Sequence, residues 1–141
     1  MSDSTISSVL TEKEKLFFIK VLTRLANVDN NIDNSEKSFI DQLFNSFQLP
    51  VSHLEEISTA TDEQIINEAK NITNRQVAME LIKEMCILAN LDGSLSDRET
   101  LLIGNIGVAM NLELEKIEQI SRWVIDRIIW LEEGKVIFEK I

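Results

Sequence analysis

A chain of 141 residues with 24 acidic against 14 basic side chains, net charge −10, has the length of one domain that buries its own core. That balance repels phosphate backbones and anionic lipid, which excludes nucleic-acid binding and points to cations or basic protein surfaces as partners. The single cysteine, Cys86, excludes an internal disulfide and reads as a small buried hydrophobe in a reducing compartment.

Four glycines, one proline and abundant Leu, Ile, Glu and Lys favour helix, and the apolar residues recur at three- and four-residue spacing. The expected fold is all-α, a bundle of about seven helices. Residues 1–10 lack a basic start and an apolar run, so they read as a flexible tail rather than a signal peptide, and residues 11–141 as a single domain. Six N-cap signatures punctuate that domain: Thr11 with Glu14, Asp33 with Glu36, Ser52 with Glu55, Thr61 with Gln64, Thr73 with Gln76 and Ser96 with Glu99. They give helices over 11–28, 34–47, 52–59, 62–70, 74–91, 97–110 and 113–133, with Gly134 as the stop of the last. The stripes Leu16, Ile19, Leu22, Ala26 and Leu81, Met85, Leu88, Ala89 make 11–28 and 74–91 the central packed pair. The more polar stretch 59–73 reads as a short linker helix.

An internal repeat organises the chain. Leu25-Ala-Asn-Val-Asp29 through Glu36 aligns without a gap on Leu88-Ala-Asn-Leu-Asp92 through Glu99, at a constant offset of 63. The register extends back through Ile19-Lys20 with Ile82-Lys83, and forward through Ile40 with Ile103, Leu49 with Leu112 and Ile57 with Ile120. Two tandem helix-loop-helix units, about 12–58 and 74–121, packed about a pseudo-two-fold, are expected from it.

Each unit carries an oxygen-rich loop. Asp29, Asn31, Asp33 and Glu36 stand at relative positions 1, 3, 5 and 8, and Asp92, Ser94, Ser96 and Glu99 stand at the same positions of the second loop. Hard cations such as Ca²⁺ take ligands of this kind, although an EF-hand loop has glycine at position 6 and its glutamate at 12, so these loops are a different device. Ile32 and Leu95 at position 4 are expected to tuck into the core and pin the loop. Capping accounts equally for Asp33, Glu36, Ser96 and Glu99. It does not account for Asp29 and Asp92, which face the negative end of a helix macrodipole unless a cation or an Asx-turn compensates.

The doubled Leu-Ala-Asn-x-Asp…Glu motif resembles the repeated signature of the TerB-like family, over residues 12–131. That family is associated with tellurite resistance and includes the N-terminal domain of membrane-anchored DnaJ-type co-chaperones. The resemblance implies a helical bundle with pseudo-two-fold repeats and a stress-response role. It also implies acidic loops that bind a Ca²⁺-like metal, with Asp29, Glu36, Asp92 and Glu99 as the ligands carried over. Asn30 departs from the glycine usual in the first loop, and the second loop holds fewer carboxylates.

The rest of the sequence offers little chemistry. His53, the lone histidine, has no cysteine or second histidine beside it and reads as a solvated surface residue. No phosphate loop or nucleophile motif is present, so no enzyme activity is expected. The most apolar stretch, residues 124–131, is broken by Asp126 and Arg127 and falls far short of the roughly 20 residues that span a bilayer. A cytoplasmic protein follows. The last helix is apolar nearly all round: Ile117, Ile120, Val124, Ile128 and Leu131 are expected to face inward, leaving Trp123 and Trp130 on a flank as a surface for a protein partner, a second copy included. The rival function is an acidic adaptor or immunity-type inhibitor whose loops are merely capped turns.

Overall fold

The computed structural model describes residues 10–28, 33–91 and 95–139. Among them are seven α-helices and no strand: α1 (Glu12–Ala26), α2 (Asn34–Phe47), α3 (Leu54–Thr59), α4 (Asp62–Ala69), α5 (Arg75–Ala89), α6 (Asp97–Ala109) and α7 (Leu114–Glu139).

Helices begin where a short polar side chain replaces a missing intrahelical acceptor for the first N–H groups. Thr11, Asp33, Thr61 and Ser96 each accept the N–H of the residue three positions on, and the Glu or Gln found there accepts the cap's own N–H. Two expected caps fail. Pro50 leads into a 3₁₀ turn, Val51–His53, which runs straight into α3, so Ser52 never adopts the extended conformation a cap requires. At α5 the cap is Asn74 rather than Thr73, its Oδ1 accepting from both Gln76 and Val77.

The expected stop at Gly134 is also overturned. α7 continues through it to Glu139 in right-handed helical conformation. Glycine ends a helix by taking the left-handed conformation, and within a helix it merely costs about 1 kcal/mol relative to alanine. α2 shows the alternative, closing on Gln48 at φ 57°.

α1 packs on α5 as the central pair. Ile19, Leu22, Leu81, Met85, Leu88 and Ala89 are buried there, with Leu16 only partly covered. Around this axis α1 also contacts α2, α3 and α4, while α5 contacts α6 and α7. Phe18 of α1 meets Phe47 of α2 edge-to-face at 6.3 Å between ring centroids. The segment expected to be a linker is part of the core: α4 lies against both α1 and α6, with Ile65 and Ala69 wholly buried. Gly107 of α6 permits the close approach of α7, because a Cβ there would press on Ile117 Cδ1 and Cγ1 and lie 3.3 Å from Ile82 Cδ1.

α7 is anchored only along its first half. Ile117 and Val124 are buried, Ile120 and Ile128 are partly buried against the core, and Leu131, expected inward, is exposed. Beyond Val124 no residue of α7 is buried.

Candidate functional site

Both oxygen-rich loops are entered and left in the same way. At the end of α1 the Asn27 side chain donates from Nδ2 to the Thr23 carbonyl at 2.9 Å, and at the end of α5 Asn90 does the same to Cys86 at 2.8 Å. The next residue closes a tight turn in each case, Val28 N–H to Leu25 O and Leu91 N–H to Leu88 O, both at 3.2 Å. Asn27 and Asn90 are one repeat apart, so the asparagine of the doubled motif is a C-terminal lock that points the chain into the loop.

On the far side, Asp33 Oδ1 accepts the Glu36 N–H at 2.8 Å and the Ser35 hydroxyl at 2.8 Å, while Glu36 Oε1 accepts the Asp33 N–H at 3.2 Å. In the second loop Ser96 Oγ accepts the Glu99 N–H at 3.2 Å, and Glu99 Oε1 accepts the Ser96 N–H at 2.8 Å. Glu36 and Glu99 are both buried. The Glu36 N–H, and then the Ser35 hydroxyl, hold the Asp33 carboxyl below its ordinary value, so it stays ionised at neutral pH.

Of the eight residues expected to ligate a metal, Asp33, Glu36, Ser96 and Glu99 thus stand at the first turns of α2 and α6. Asp29, Asn31, Asp92 and Ser94 lie outside the described residues, as does Ile32. Leu95 is packed against the core, as a loop pin should be. Among the described residues no three His, Cys, Asp or Glu side chains converge on one point. The four described residues, Asp33, Glu36, Ser96 and Glu99, offer only oxygen donors, which fits a hard cation in kind. A carboxylate has two oxygens, so capping through one is compatible with ligation through the other.

Two further repeated features escaped the reading of the residues. Lys20 and Lys83, one repeat apart, are both withdrawn from solvent. Lys20 is paired with Glu56 at 2.6 Å and Glu68 at 3.3 Å, and Lys83 with Glu80 at 2.8 Å and Glu84 at 3.4 Å. Burial alone would lower the pKa of each, but the carboxylates outweigh it and the net shift is upward. The aligned Ile-Lys dipeptides were the available signal. The second feature is a pair of apolar grooves, about 630 Å³ between α1, α2 and α3 and about 650 Å³ between α6 and α7. Ile40 with Ile103, Leu54 with Ile117 and Ser58 with Ser121 line them in the common register.

A family model described as tellurite resistance protein TerB matches residues 15–122, from within α1 into α7. The chain belongs to the TerB family. Both loops, both locked asparagines and both grooves of this TerB-family chain fall inside the matched span, whereas Trp123 and everything after it fall outside. No curated protein and no solved structure matches the chain.

His53 is not fully solvated as expected: it is half-buried beside Glu12 at 3.8 Å and Glu56 at 3.7 Å. Trp123 and Trp130 are exposed, on the face of α7 that the core leaves open.

Proposed function

We propose that this TerB-family chain is a non-enzymatic tellurite-resistance and stress-response module of the cytoplasm. In this reading it binds a divalent cation, Ca²⁺ or one like it, in the loops 29–36 and 92–99, and acts through a protein partner. The observation that carries the proposal is the pair of buried carboxylates, Glu36 and Glu99, at the same register of the two loops. Each is withdrawn from water, accepts the backbone N–H of its own helix cap, and stands beside loop aspartates with which a hard cation would share oxygen ligands of this kind. The first loop binds more tightly, because Asp29, Asp33 and Glu36 offer three carboxylates against Asp92 and Glu99.

The non-enzymatic part rests on Cys86, whose thiol burial pushes up to about 11, so it is not poised to react. The adaptor reading draws on the same capping boxes, which stabilise α2 and α6 with no metal.

Titration calorimetry with Ca²⁺, Mg²⁺ and Mn²⁺ separates the two readings. Metal binding gives heat that Asp29→Asn diminishes more than Asp92→Asn, and cation at a hundred times its dissociation constant raises stability by about 2.7 kcal/mol. No heat with any of the three rejects the metal site and leaves the adaptor.

A further inference from the structure

Outside the matched span, α7 carries Trp123, Ile129, Trp130, Leu131, Val136, Ile137 and Phe138 at 46–72% exposure, seven of the large apolar side chains the fold leaves uncovered. Ile129 and Val136 stand on the far side of the helix; at roughly 150–250 Å² for a fully exposed aromatic side chain and somewhat less for the aliphatics, the other five leave on the order of 650 Å² open on the side of Trp123. A typical monomer shows patches of roughly 300–600 Å² at most, and a stable interface removes about 800 Å² from each partner.

We infer that α7 is a self-association element: two copies pair their α7 helices antiparallel through the face that carries Trp123, Asp126, Arg127, Trp130, Gly134 and Ile137. Those residues recur at three- and four-residue spacing and so share one side of the helix. Charge selects a second copy as the occupant. From Arg122 onward the basic Arg122, Arg127, Lys135 and Lys140 balance the acidic Asp126, Glu132, Glu133 and Glu139, so the whole net charge of −10 resides in residues 1–121. Two neutral arms meet without repulsion. A neutral arm offers no excess charge to a basic partner and none to an anionic membrane surface.

Register supports the same pairing. A two-fold axis passing between Asp126 and Arg127 sets residue i against residue 253 − i. Trp123 then faces Trp130 and Asp126 faces Arg127, each twice by the two-fold. Gly134, an open position where an added Cβ meets nothing, weakens an exposed helix to no benefit within the monomer. In the pair it lets the facing helix come close opposite Gln119.

Sedimentation equilibrium across the micromolar range tests this, with emission of the two tryptophans as a second readout, since both lie in the interface. The expected result is a reversible dimer whose emission shifts to the red on dilution. Asp126→Arg, at an exposed position, weakens it roughly ten-fold by setting like charges against each other twice. The Asp126→Arg, Arg127→Asp double variant restores it, and far-UV circular dichroism stays unchanged throughout. Trp130→Glu gives a folded monomer. A parent chain that stays monomeric at every concentration overturns the inference, whether or not that monomer binds phospholipid vesicles or another protein. A dimer indifferent to both Asp126→Arg and Trp130→Glu also overturns it.

Discussion

Two glycines of α6 allow a matched experiment on how α7 is seated. Gly104 and Gly107 are both interior to the helix, so alanine at either gains about 0.5–1 kcal/mol from the reduced freedom of the unfolded chain. At Gly104 a new Cβ meets nothing, and that gain is realised in full. At Gly107 the Cβ lands on Ile117 and within 3.3 Å of Ile82 Cδ1. Both isoleucines are buried, so Ile117 must leave its rotamer, and overpacking of this kind costs about 1–3 kcal/mol. The net expectation is a loss of about 1 kcal/mol. At this chain length that corresponds to a melting temperature lower by about 4 °C, against a rise of about 2–4 °C for Gly104→Ala. Ile117→Val, which removes the clashing Cδ1, costs about 0.5–1.5 kcal/mol alone but less in the Gly107→Ala background, a coupling of about 1 kcal/mol. Calorimetric melts of the four proteins provide the comparison. If Gly107→Ala raises the melting temperature as much as Gly104→Ala, or if the two substitutions add, the close approach of α6 and α7 described above is wrong.

Lys20→Met keeps the buried stem and removes the ammonium, and because Glu56 and Glu68 remain partly exposed and rehydrate, the expected cost in urea unfolding is only about 1 kcal/mol. The Lys20 pKa is raised on folding, so its contribution is complete below 10.5 and lost as pH rises through the folded value. Lys20→Met therefore flattens the alkaline limb of stability, and an unchanged limb contradicts the pairing. Asp33 shows the opposite sign: its depressed carboxyl contributes above its ordinary value of 3.8 and loses that contribution as pH falls through the folded value. Asp33→Asn, which still caps but lacks the charge, should be less stable than the parent at neutral pH and converge with it as pH falls, making acid unfolding shallower. With its thiol pushed up to about 11 by burial, against the opposing Ser121 hydrogen bond, Cys86 should react with a disulfide reagent at neutral pH only as fast as the protein opens; rapid stoichiometric labelling of native protein would place it elsewhere.

Much of the fold was legible because it is written in local chemistry. Thr11, Asp33, Thr61 and Ser96 announce their helices through side chains that bond within three residues, so the sequence itself contains both partners. Ser52 and Gly134 misled because their signals are conditional. A cap needs extended backbone, which the turn after Pro50 denies, and a glycine stop needs left-handed backbone, which nothing at Gly134 enforces. Of the candidate site, the flanking residues and the asparagine locks follow from the 63-residue register. Pairs such as Lys20 with Glu68, which join α1 to α4 across 48 positions, have no periodicity to betray them. Leu131 was misplaced for a related reason: its spacing continues the inward stripe, but the body of the protein ends before the helix does.

The burial of α4 has a bearing on how this chain is built from its two halves. An αα-unit that closed on itself would be a foldon, able to form ahead of its twin. Here Ile65 and Ala69, which follow the first unit in sequence, are covered by α1 of that unit and α6 of the other. Cutting the chain between the units strips apolar surface from both fragments, whichever one keeps α4. The expected outcome is a single cooperative unfolding transition rather than the stepwise one of a two-link solenoid, with neither half folding when expressed alone.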